Sequence, residues 1–376
     1  MRVIMVTPSY SPIKGGTESL IQNLSRKLNE IGVETDVMTF NMDCKWHPVW
    51  QAKNERIDGS NVFKIPALNW FPTAHTDRIT MAVNLIPGRF RERLREYDII
   101  HFHGHDLSFP LFSYTIKKPK IFHLHGFSKD FYMRYFLSRL VLKHIAGVYV
   151  SVSRAMVKDL LELGIPRSKI AFLPNSVDTD IFRPMGTRTR NMVLFVGRIT
   201  FDKGLHVLLK SLVYLKDPVH LVIIGPPEWD VAYFQYFLKR VEDENKRGLH
   251  KVTYLGQQGQ NEIVKYYQRA AVFVLPSFRE AFPMVNLEAL SCETPVVASN
   301  VGGVSEVVLN GQNGVLVPPN NIIRLAQAMQ DLLNDDNARE RFGREGRKWI
   351  VGNFSLEVIS RRLSELYERM TANRTR

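Results

Sequence analysis

The stretch FREAFPMVNLEALSCETPVVASNVGGVSEVV, residues 278–308, contains one complete unit of alternating structure. A loop carries Glu280, a helical run over Met284–Cys292 carries Glu288, and the short apolar run Pro295–Ala298 predicts a buried strand. Short apolar strands that alternate with helices are typical of parallel sheets with right-handed crossovers. The stretch therefore predicts an α/β fold.

The same alternation extends over the whole chain. A 3.6-residue apolar period predicts a first helix over Thr17–Ile31, closed by Gly32. The remaining strand predictions are Val3–Thr7, Thr35–Phe40, Ile99–His103, Ile121–His125, Val148–Val152, Ile170–Leu173, Val193–Gly197, Leu221–Gly225, Val252–Gly256 and Val272–Pro276. The remaining helix predictions are Leu205–Leu215, Asn261–Ala270, Ile322–Leu333 and Leu356–Met370.

The pattern restarts after Arg183-Pro184-Met185-Gly186-Thr187, which is the best linker candidate. We therefore predict two doubly wound, Rossmann-like domains, residues 1–183 and 190–355, followed by a terminal helix over 356–376. Ligands of such sheets bind outside the carboxyl ends of the strands. Because glycines and polar residues lie at those ends in both halves, we expect the two domains to face each other across a cleft.

The composition is that of a soluble globular protein. Hydrophobic residues make up 45% and charged residues 23% of the 376 positions, which excludes a disordered chain. No apolar run reaches the roughly 18 residues that span a bilayer, and the first residues predict a strand rather than a signal peptide. Cys44 and Cys292 imply no disulfide framework. We expect a cytoplasmic protein.

The net charge of +13 favours an anionic partner. The segment Arg89–Lys143 holds 11 basic and 5 acidic residues, interleaved with aromatic and aliphatic ones. This mixture fits a helix that lies on an anionic membrane surface, and equally an ordinary helix buried on one face. Nucleic acid is the less favoured partner, because no recognition module accompanies the charge.

Two cations follow the first strand of the second half. Arg198 comes directly after the strand and Lys203 lies at the start of the next helix. A forked guanidinium and a point-charge ammonium at one sheet edge suit a diphosphate. In the first half, Gly15-Gly16 stands between a strand and a helix, where it is either a simple turn or a close approach to a phosphate.

Glu280 and Glu288 suggest recognition of hydroxyl groups. A carboxylate can accept hydrogen bonds from vicinal hydroxyls, and the first amides of a helix can hold anionic or hydroxyl-rich groups. For a single glutamate, pairing with the helix dipole is the favoured explanation.

Two patterns in the sequence suggest metal binding. His101, His103 and His105 alternate near His123 and His125, which would fit a metal-dependent hydrolase, but no carboxylate or Cys accompanies them at comparable strand ends. We favour packing for most of these histidines. Asp178-Thr179-Asp180 is similar to a metal-binding DxD pattern, and we interpret it as a structural turn.

The chain resembles the retaining glycosyltransferases of family 4, which have the GT-B fold. The resemblance is carried by residues 278–308 together with PSYSPIKGGTESLIQNLSRKL, LPNSVDTDIF, FVGRITFDKGLHVLLKSL and GQNGVLVPPNN, which occur in the family's order over residues 1 to about 335. It implies that the terminal helix crosses back to the N-terminal domain, on the acceptor side. Two departures stand out: Ala281 replaces a frequent glycine, and Glu293 occupies a turn that would be costly at positive φ.

The resemblance also implies the roles of the site residues. Arg198 and Lys203 would neutralise the donor diphosphate, and Glu288 would bind the ribose. The donor sugar would be held by Glu280 and by the backbone amides of Ala281, Phe282, Pro283, Met284 and Val285. Gly15 and Gly16 would close over the diphosphate, and His125 would face the reacting sugar.

The implied reaction is transfer of a hexose, with retention, from a nucleoside diphosphate to an acceptor hydroxyl. UDP is the first expectation for the nucleotide and GDP the second, with no cofactor and no metal. A lipid-linked glycan or a surface polysaccharide is the expected acceptor. The alternatives are a nucleotide-sugar epimerase of the same fold, a metal-dependent hydrolase and a non-catalytic sugar-binding protein.

Overall fold

A computed structural model describes the chain except for residues 14, 44–46, 48, 50, 67–87, 105–112, 114, 127–128, 135, 228–229 and 373–376. The chain forms two compact units, Met1–Asn175 with Leu356–Arg376 and Ser176–Ser355. It passes from the first unit to the second after Asn175, which is earlier than the predicted linker at residues 183–187.

The first unit is built on a sheet in the order β3-β4-β2-β1-β5-β6-β7-β8. All neighbouring strands are parallel except β3 and β4, which form an antiparallel pair. The sequence analysis missed both strands; in β3 the charged segment KNERI lacks a buried apolar face. The strands are β1 (Arg2–Thr7), β2 (Glu34–Phe40), β3 (Lys53–Ile57), β4 (Ser60–Ile65), β5 (Ile99–His103), β6 (Lys120–Leu124), β7 (Val148–Ser151) and β8 (Ile170–Phe172).

The helices of the first unit include the last helix of the chain, Leu356–Ala372. The first helix buries the predicted apolar stripe and ends before Gly32, whose φ is +87°. The terminal helix lies against the first one, where Lys27 Nζ is 3.0 Å from Glu357 Oε1. The helices are α1 (Gly16–Glu30), α2 (Gly88–Arg95), α3 (Lys129–Arg134), α4 (Phe136–His144), α5 (Arg154–Glu162) and the terminal α13 (Leu356–Ala372).

The second unit is built on a six-stranded parallel sheet in the order β11-β10-β9-β12-β13-β14. Its central strands are buried on both faces, as parallel sheets covered by helices require. The strands are β9 (Thr189–Val196), β10 (His220–Ile224), β11 (Lys251–Tyr254), β12 (Ala270–Leu275), β13 (Val296–Ser299) and β14 (Gly314–Val317).

The helices of the second unit include two long ones that the sequence analysis did not assign. In α7, the aromatic residues fall on both faces: Tyr233 and Phe237 are buried and Tyr236 is exposed, which obscures the period. The helices are α6 (Leu205–Leu212), α7 (Val231–Arg247), α8 (Gln260–Arg269), α9 (Met284–Ser291), α10 (Val304–Val307), α11 (Ile322–Asn334) and α12 (Asp336–Phe354).

Among the helices described, none is both long enough and apolar enough to cross a bilayer.

Candidate active site

The carboxyl ends of β9 and β12 bring the predicted site residues Lys203 and Glu280 of the second unit together. The exposed Arg198 follows β9, and a short 3-10 turn over Phe201–Lys203 leads into α6. Gly204 ends that turn with a φ of +70°, and a Cβ there would stand 2.1 Å from the carbonyl oxygen of Pro276. Only glycine permits this approach, so Gly204 fixes Lys203 beside the loop that follows β12.

Lys203 and Glu280 form an ion pair in that position. The Lys203 Nζ lies 2.7 Å from Glu280 Oε1, and the two side chains are 16% and 10% exposed. The hydroxyl of Ser277 donates to the same carboxylate oxygen at 2.7 Å. The sequence placed Lys203 and Glu280 at different parts of a donor, whereas the structure shows them as one coupled pair.

Two glycines pack against the backbone of the Glu280 loop. The Gly303 amide donates to the carbonyl oxygen of Glu280 at 3.2 Å. Gly302 has a φ of +50°, and a Cβ there would stand 1.8 Å from the same oxygen. The Gly-Gly pair was visible in the sequence, but its contact with Glu280 depends on the tertiary fold.

Helix α9 begins beside this loop. Its first residues follow Pro283, which provides no side-chain cap for the amides of the first turn. One correction is required here: proline has no backbone N–H, so Pro283 cannot be one of the predicted amide donors. Phe282 is buried, with its ring 5.6 Å from that of Phe354, so its side chain packs in the core.

Glu288 is the fifth residue of α9. Its carboxyl is hydrogen-bonded to a residue that the sequence analysis missed. The hydroxyl of the fully buried Tyr267 donates to Glu288 Oε2 at 2.8 Å. Loss of water around the half-buried carboxyl raises the pKa of Glu288 to about 7, and the hydrogen bond from Tyr267 opposes that rise. Tyr267 was part of a predicted helix, but spacing alone gave no signal of this contact.

Arg188 braces the same region. Its guanidinium donates at 2.8 Å to the carbonyl oxygen of Ala270, to Thr294 Oγ1 and to the carbonyl oxygen of Cys292. Thr294 in turn donates to the carbonyl oxygen of Tyr267. Burial raises the pKa of the Cys292 thiol to about 12, so this cysteine is unreactive at neutral pH.

In the first unit, Gly15 and Gly16 form the start of α1. Gly15 is the N-cap with extended backbone and Gly16 is the first helical residue. The carboxylate of Glu18 lies over this turn, where a Cβ on Gly15 would stand 2.3 Å from Glu18 Oε2, and it accepts a hydrogen bond from the Ser9 hydroxyl. The helix N-terminus therefore already has an anionic neighbour.

The histidines of β5 and β6 lie side by side on one face of the sheet. His101, His103 and His123 are buried, and His103 Nδ1 lies 3.0 Å from Nε2 of the predicted site residue His125. Burial, together with neighbouring imidazoles, holds the pKa values of the three buried rings well below the usual 6.5. His105 lies outside the described residues.

These three buried histidines form the one group in the described part of the chain whose nitrogens could share a metal, all within 4.8 Å of one another. The rings of His101 and His123 are stacked at an interplanar angle of 5°, and the ring of His103 is tilted by 31° and 35° to these two. Metals bind in the plane of an imidazole, so stacked rings do not direct their lone pairs to one ion. The arrangement favours packing of neutral rings.

The DxD-like segment closes a turn. Asp178 Oδ1 accepts from the amides of Asp180 and Ile181 at 3.1 and 3.2 Å. Its carboxylate is thus used by the backbone, which agrees with the structural interpretation.

Part of the basic segment Arg89–Lys143 lies outside the described residues, as does Cys44. In the described part, Met133 and Leu140 are exposed whereas Tyr132 and Leu142 are buried. This amphipathic pattern fits both interpretations given above.

Comparison with known proteins identifies the family. Residues 14–181 match the model for "Glycosyltransferase Family 4" and residues 178–349 match that for "Glycosyl transferases group 1". The two matches together cover residues 14–349. The chain belongs to the GT-B glycosyltransferases of the family 4 type.

Individual proteins are similar to this chain over nearly its full length. An uncharacterized glycosyltransferase of Methanocaldococcus jannaschii is 26% identical over 98% of both chains. A glycogen synthase of Mycobacterium tuberculosis is 25% identical over 98% of this chain and 94% of that protein. The structure of Anabaena HepE in complex with UDP and glucose aligns with a TM-score of 0.79 at 16% identity, over 98% of this chain and all of that one. The last comparison establishes the fold.

Proposed function

We propose that the enzyme transfers a hexose, with retention of anomeric configuration, from a nucleoside diphosphate to an acceptor hydroxyl. The observation that carries the proposal is the Lys203–Glu280 pair at the carboxyl edge of the second sheet, the edge at which Arg198 follows β9. UDP is the favoured nucleotide and GDP the second. UDP and UDP-glucose complexes of the structurally similar HepE support a nucleotide-sugar donor.

Different residues of the second unit bind different parts of the donor. Arg198 and Lys203 stabilise the charge that builds on the departing diphosphate, which is the main catalytic contribution. Glu280 and the amides of Ala281, Phe282, Met284 and Val285 hold the hexose, while Glu288 accepts from the ribose hydroxyls.

The proton of the acceptor goes to a phosphate oxygen of the donor on the same face, so no protein nucleophile is required. The roles of His125, Gly15 and Gly16 rest on the family resemblance. We also propose that transfer requires no metal.

The acceptor is proposed to be a lipid-linked glycan or a surface polysaccharide. The basic segment Arg89–Lys143 supports work at an anionic membrane surface on the cytoplasmic side. Polymer synthesis is supported by the name of the M. tuberculosis relative, a glycogen synthase.

The decisive experiment is thermal unfolding with UDP, GDP and ADP, each with and without Mg²⁺. A nucleotide at 100 times its Kd stabilises the folded state by about 2.7 kcal/mol. A shift with UDP that is independent of Mg²⁺ is expected, followed by hexose transfer in a screen of UDP-sugars. No shift with any nucleotide contradicts the proposal, and release of an epimerised nucleotide sugar without an acceptor assigns the epimerase activity instead.

A further inference from the structure

Helix α12 lies antiparallel to α9, the helix that carries Glu288, because the residue numbers of the contacting pairs rise along α12 as they fall along α9. A Cβ on Gly343 would stand 2.1 Å from the carbonyl oxygen of Glu293. A Cβ on Gly346 would stand 2.7 Å from Leu290 Cδ2. The absence of side chains at the two glycines therefore brings the backbone of α12 against the carboxyl end of α9.

The guanidinium of Arg347, also on α12, joins this end of α9 to a second segment. Its Nη1 donates to the carbonyl oxygen of Ser291, the last residue of α9, at 2.6 Å and to that of Phe182 at 3.3 Å. Its Nη2 donates to the carbonyl oxygen of Thr179 at 3.5 Å. Thr179 and Phe182 belong to the turn that Asp178 closes, so one side chain fixes the end of α9 relative to that turn.

Phe182 continues this connection to the carboxyl of Glu288. The ring of Phe182 lies 6.0 Å from that of Tyr267 in an edge-to-face arrangement, with an interplanar angle of 69°. The hydroxyl of Tyr267 donates to Glu288 Oε2. Arg347 is therefore connected to this carboxyl in two ways: through Ser291, within one helical turn of Glu288, and through the rings of Phe182 and Tyr267.

Arg347 differs from another arginine of the same helix in what it contacts. Arg344 is exposed, and its Nη1 lies 3.5 Å from Glu340 Oε2. Arg347 is half-buried, and its hydrogen bonds to the described residues all go to backbone carbonyl oxygens of other segments. The planar fork of a guanidinium can reach two such carbonyls at once, whereas the point charge of a lysine cannot reproduce that geometry.

We propose that Arg347 is a positioning residue for Glu288 and holds its carboxylate where it can accept hydrogen bonds from the ribose. The residue acts through Ser291 and through the contact between the rings of Phe182 and Tyr267. The proposal rests on the proposed function, since that function assigns Glu288 to the ribose hydroxyls. When Arg347 is removed, the hydrogen bond from Tyr267 should weaken, and the ionised form of Glu288 should lose stabilisation.

The test is ¹³C NMR of the free enzyme with labelled glutamate carboxyls, in which the signal of Glu288 is assigned by its absence from Glu288→Gln. Burial raises the pKa of Cys292 on α9 to about 12 and that of Tyr267 on α8 well above 10, so neither neighbour titrates between pH 5 and 9. Arg347→Met should raise the titration midpoint of Glu288 by about half a pH unit or more. Arg344→Met is the matched control and should keep the wild-type midpoint.

Three further variants test how Arg347 acts. Arg347→Lys keeps the charge without the fork, so it should shift the midpoint as Arg347→Met does. Phe182→Leu removes the ring contact alone and should shift the midpoint in the same direction, which keeps the test available where Arg347→Met fails to fold. Arg347→Met combined with Tyr267→Phe should shift it by less than the sum of the two single shifts, because both changes act on one hydrogen bond.

A wild-type midpoint in Arg347→Met overturns the proposal, and reduced thermal stability with that midpoint would show a merely structural role. A wild-type midpoint in Arg347→Lys or in Phe182→Leu, or additive shifts in the double variant, would overturn it too. The titration needs no nucleotide, and UDP binding is measured in parallel. Failure of the wild type to bind UDP contradicts the proposed function, whereas an unshifted midpoint with intact UDP binding contradicts only the role of Arg347.

Discussion

The hydroxyl of Tyr267 lies 2.8 Å from Oε2 of Glu288 and donates a hydrogen bond to it. Tyr267 is fully buried on α8 and Glu288 is half-buried on α9, so two helices combine to orient one carboxylate. A hydrogen bond to a charged acceptor is worth about 1.5–3 kcal/mol, which is enough to set the orientation of that group and to oppose the rise in its pKa that burial causes.

Replacing Tyr267 by Phe should therefore weaken nucleotide binding. The change removes one hydroxyl and keeps the ring, so we expect the Kd for UDP to rise about tenfold with little change in kcat. Calorimetric titration of UDP measures the effect. The companion variant Tyr266→Phe changes the neighbouring tyrosine and should bind as wild type does; equal losses in both variants contradict the role of Tyr267.

Nucleotide binding should also depend on pH through Glu288. Its raised pKa of about 7 means that the carboxyl becomes protonated as the pH falls from 8 to 6, and it then loses its charge-assisted hydrogen bonds to the ribose. Affinity for UDP should thus fall below pH 7 in the wild type. In Glu288→Gln it should be lower throughout and flat over the same range. A wild-type profile as flat as that of the variant would rule out this titration.

The two cations should act mainly on turnover. Arg198→Ala or Lys203→Ala removes a positive charge from the departing diphosphate, and we expect kcat to fall roughly 10²–10³-fold with a smaller change in KM for the donor. Lys210→Ala, an exposed lysine on α6, is the control for a general loss of charge. Normal transfer by Arg198→Ala would disprove the diphosphate assignment.

The first unit should lose stability in acid. His101, His103 and His123 have pKa values well below 6.5 in the folded chain, while in the unfolded chain they protonate near 6.5. The unfolded state then binds more protons, so the free energy of unfolding decreases as the pH falls below 6.5. The slope is about 1.4 kcal/mol per pH unit for each histidine.

Urea unfolding between pH 7.5 and 5 measures that slope. His123→Phe should reduce it by the share of one histidine. A slope that does not respond to His123→Phe would show that other groups cause the acid sensitivity.

The protein should be more stable with glycine than with alanine at position 293. Glu293 has a φ of +60°, which confirms the positive φ considered from the sequence. Glu293→Gly and Glu293→Ala both remove the charge, but only alanine keeps the left-handed penalty, so we expect the glycine variant to be about 1 kcal/mol more stable. Thermal unfolding of the pair decides the matter, and equal stability would show that the turn relaxes without cost.

The sequence by itself determined the class of fold and the residues at the strand ends. The predicted strands at Val3–Thr7 and Val193–Gly197 formed almost as expected, because short buried runs flanked by helices have few other ways to bury their apolar atoms. Arg198, Lys203 and Glu280 could be selected because strand ends of parallel sheets converge on one edge. The charged strand β3 gave no such signal, since its side chains are largely exposed.

Only the tertiary structure decided which of those residues touch. Three helices and three strands separate Lys203 from Glu280 in the sequence, and their pairing depends on β9 and β12 being neighbours in the sheet. The contacts of Tyr267 with Glu288, of Gly303 with Glu280 and of Phe201 with Phe278 arise in the same way. Hydrophobic periodicity is a local property that a sequence displays directly, whereas a hydrogen bond or a ring stack between distant segments depends on strand order and on angstrom-scale packing.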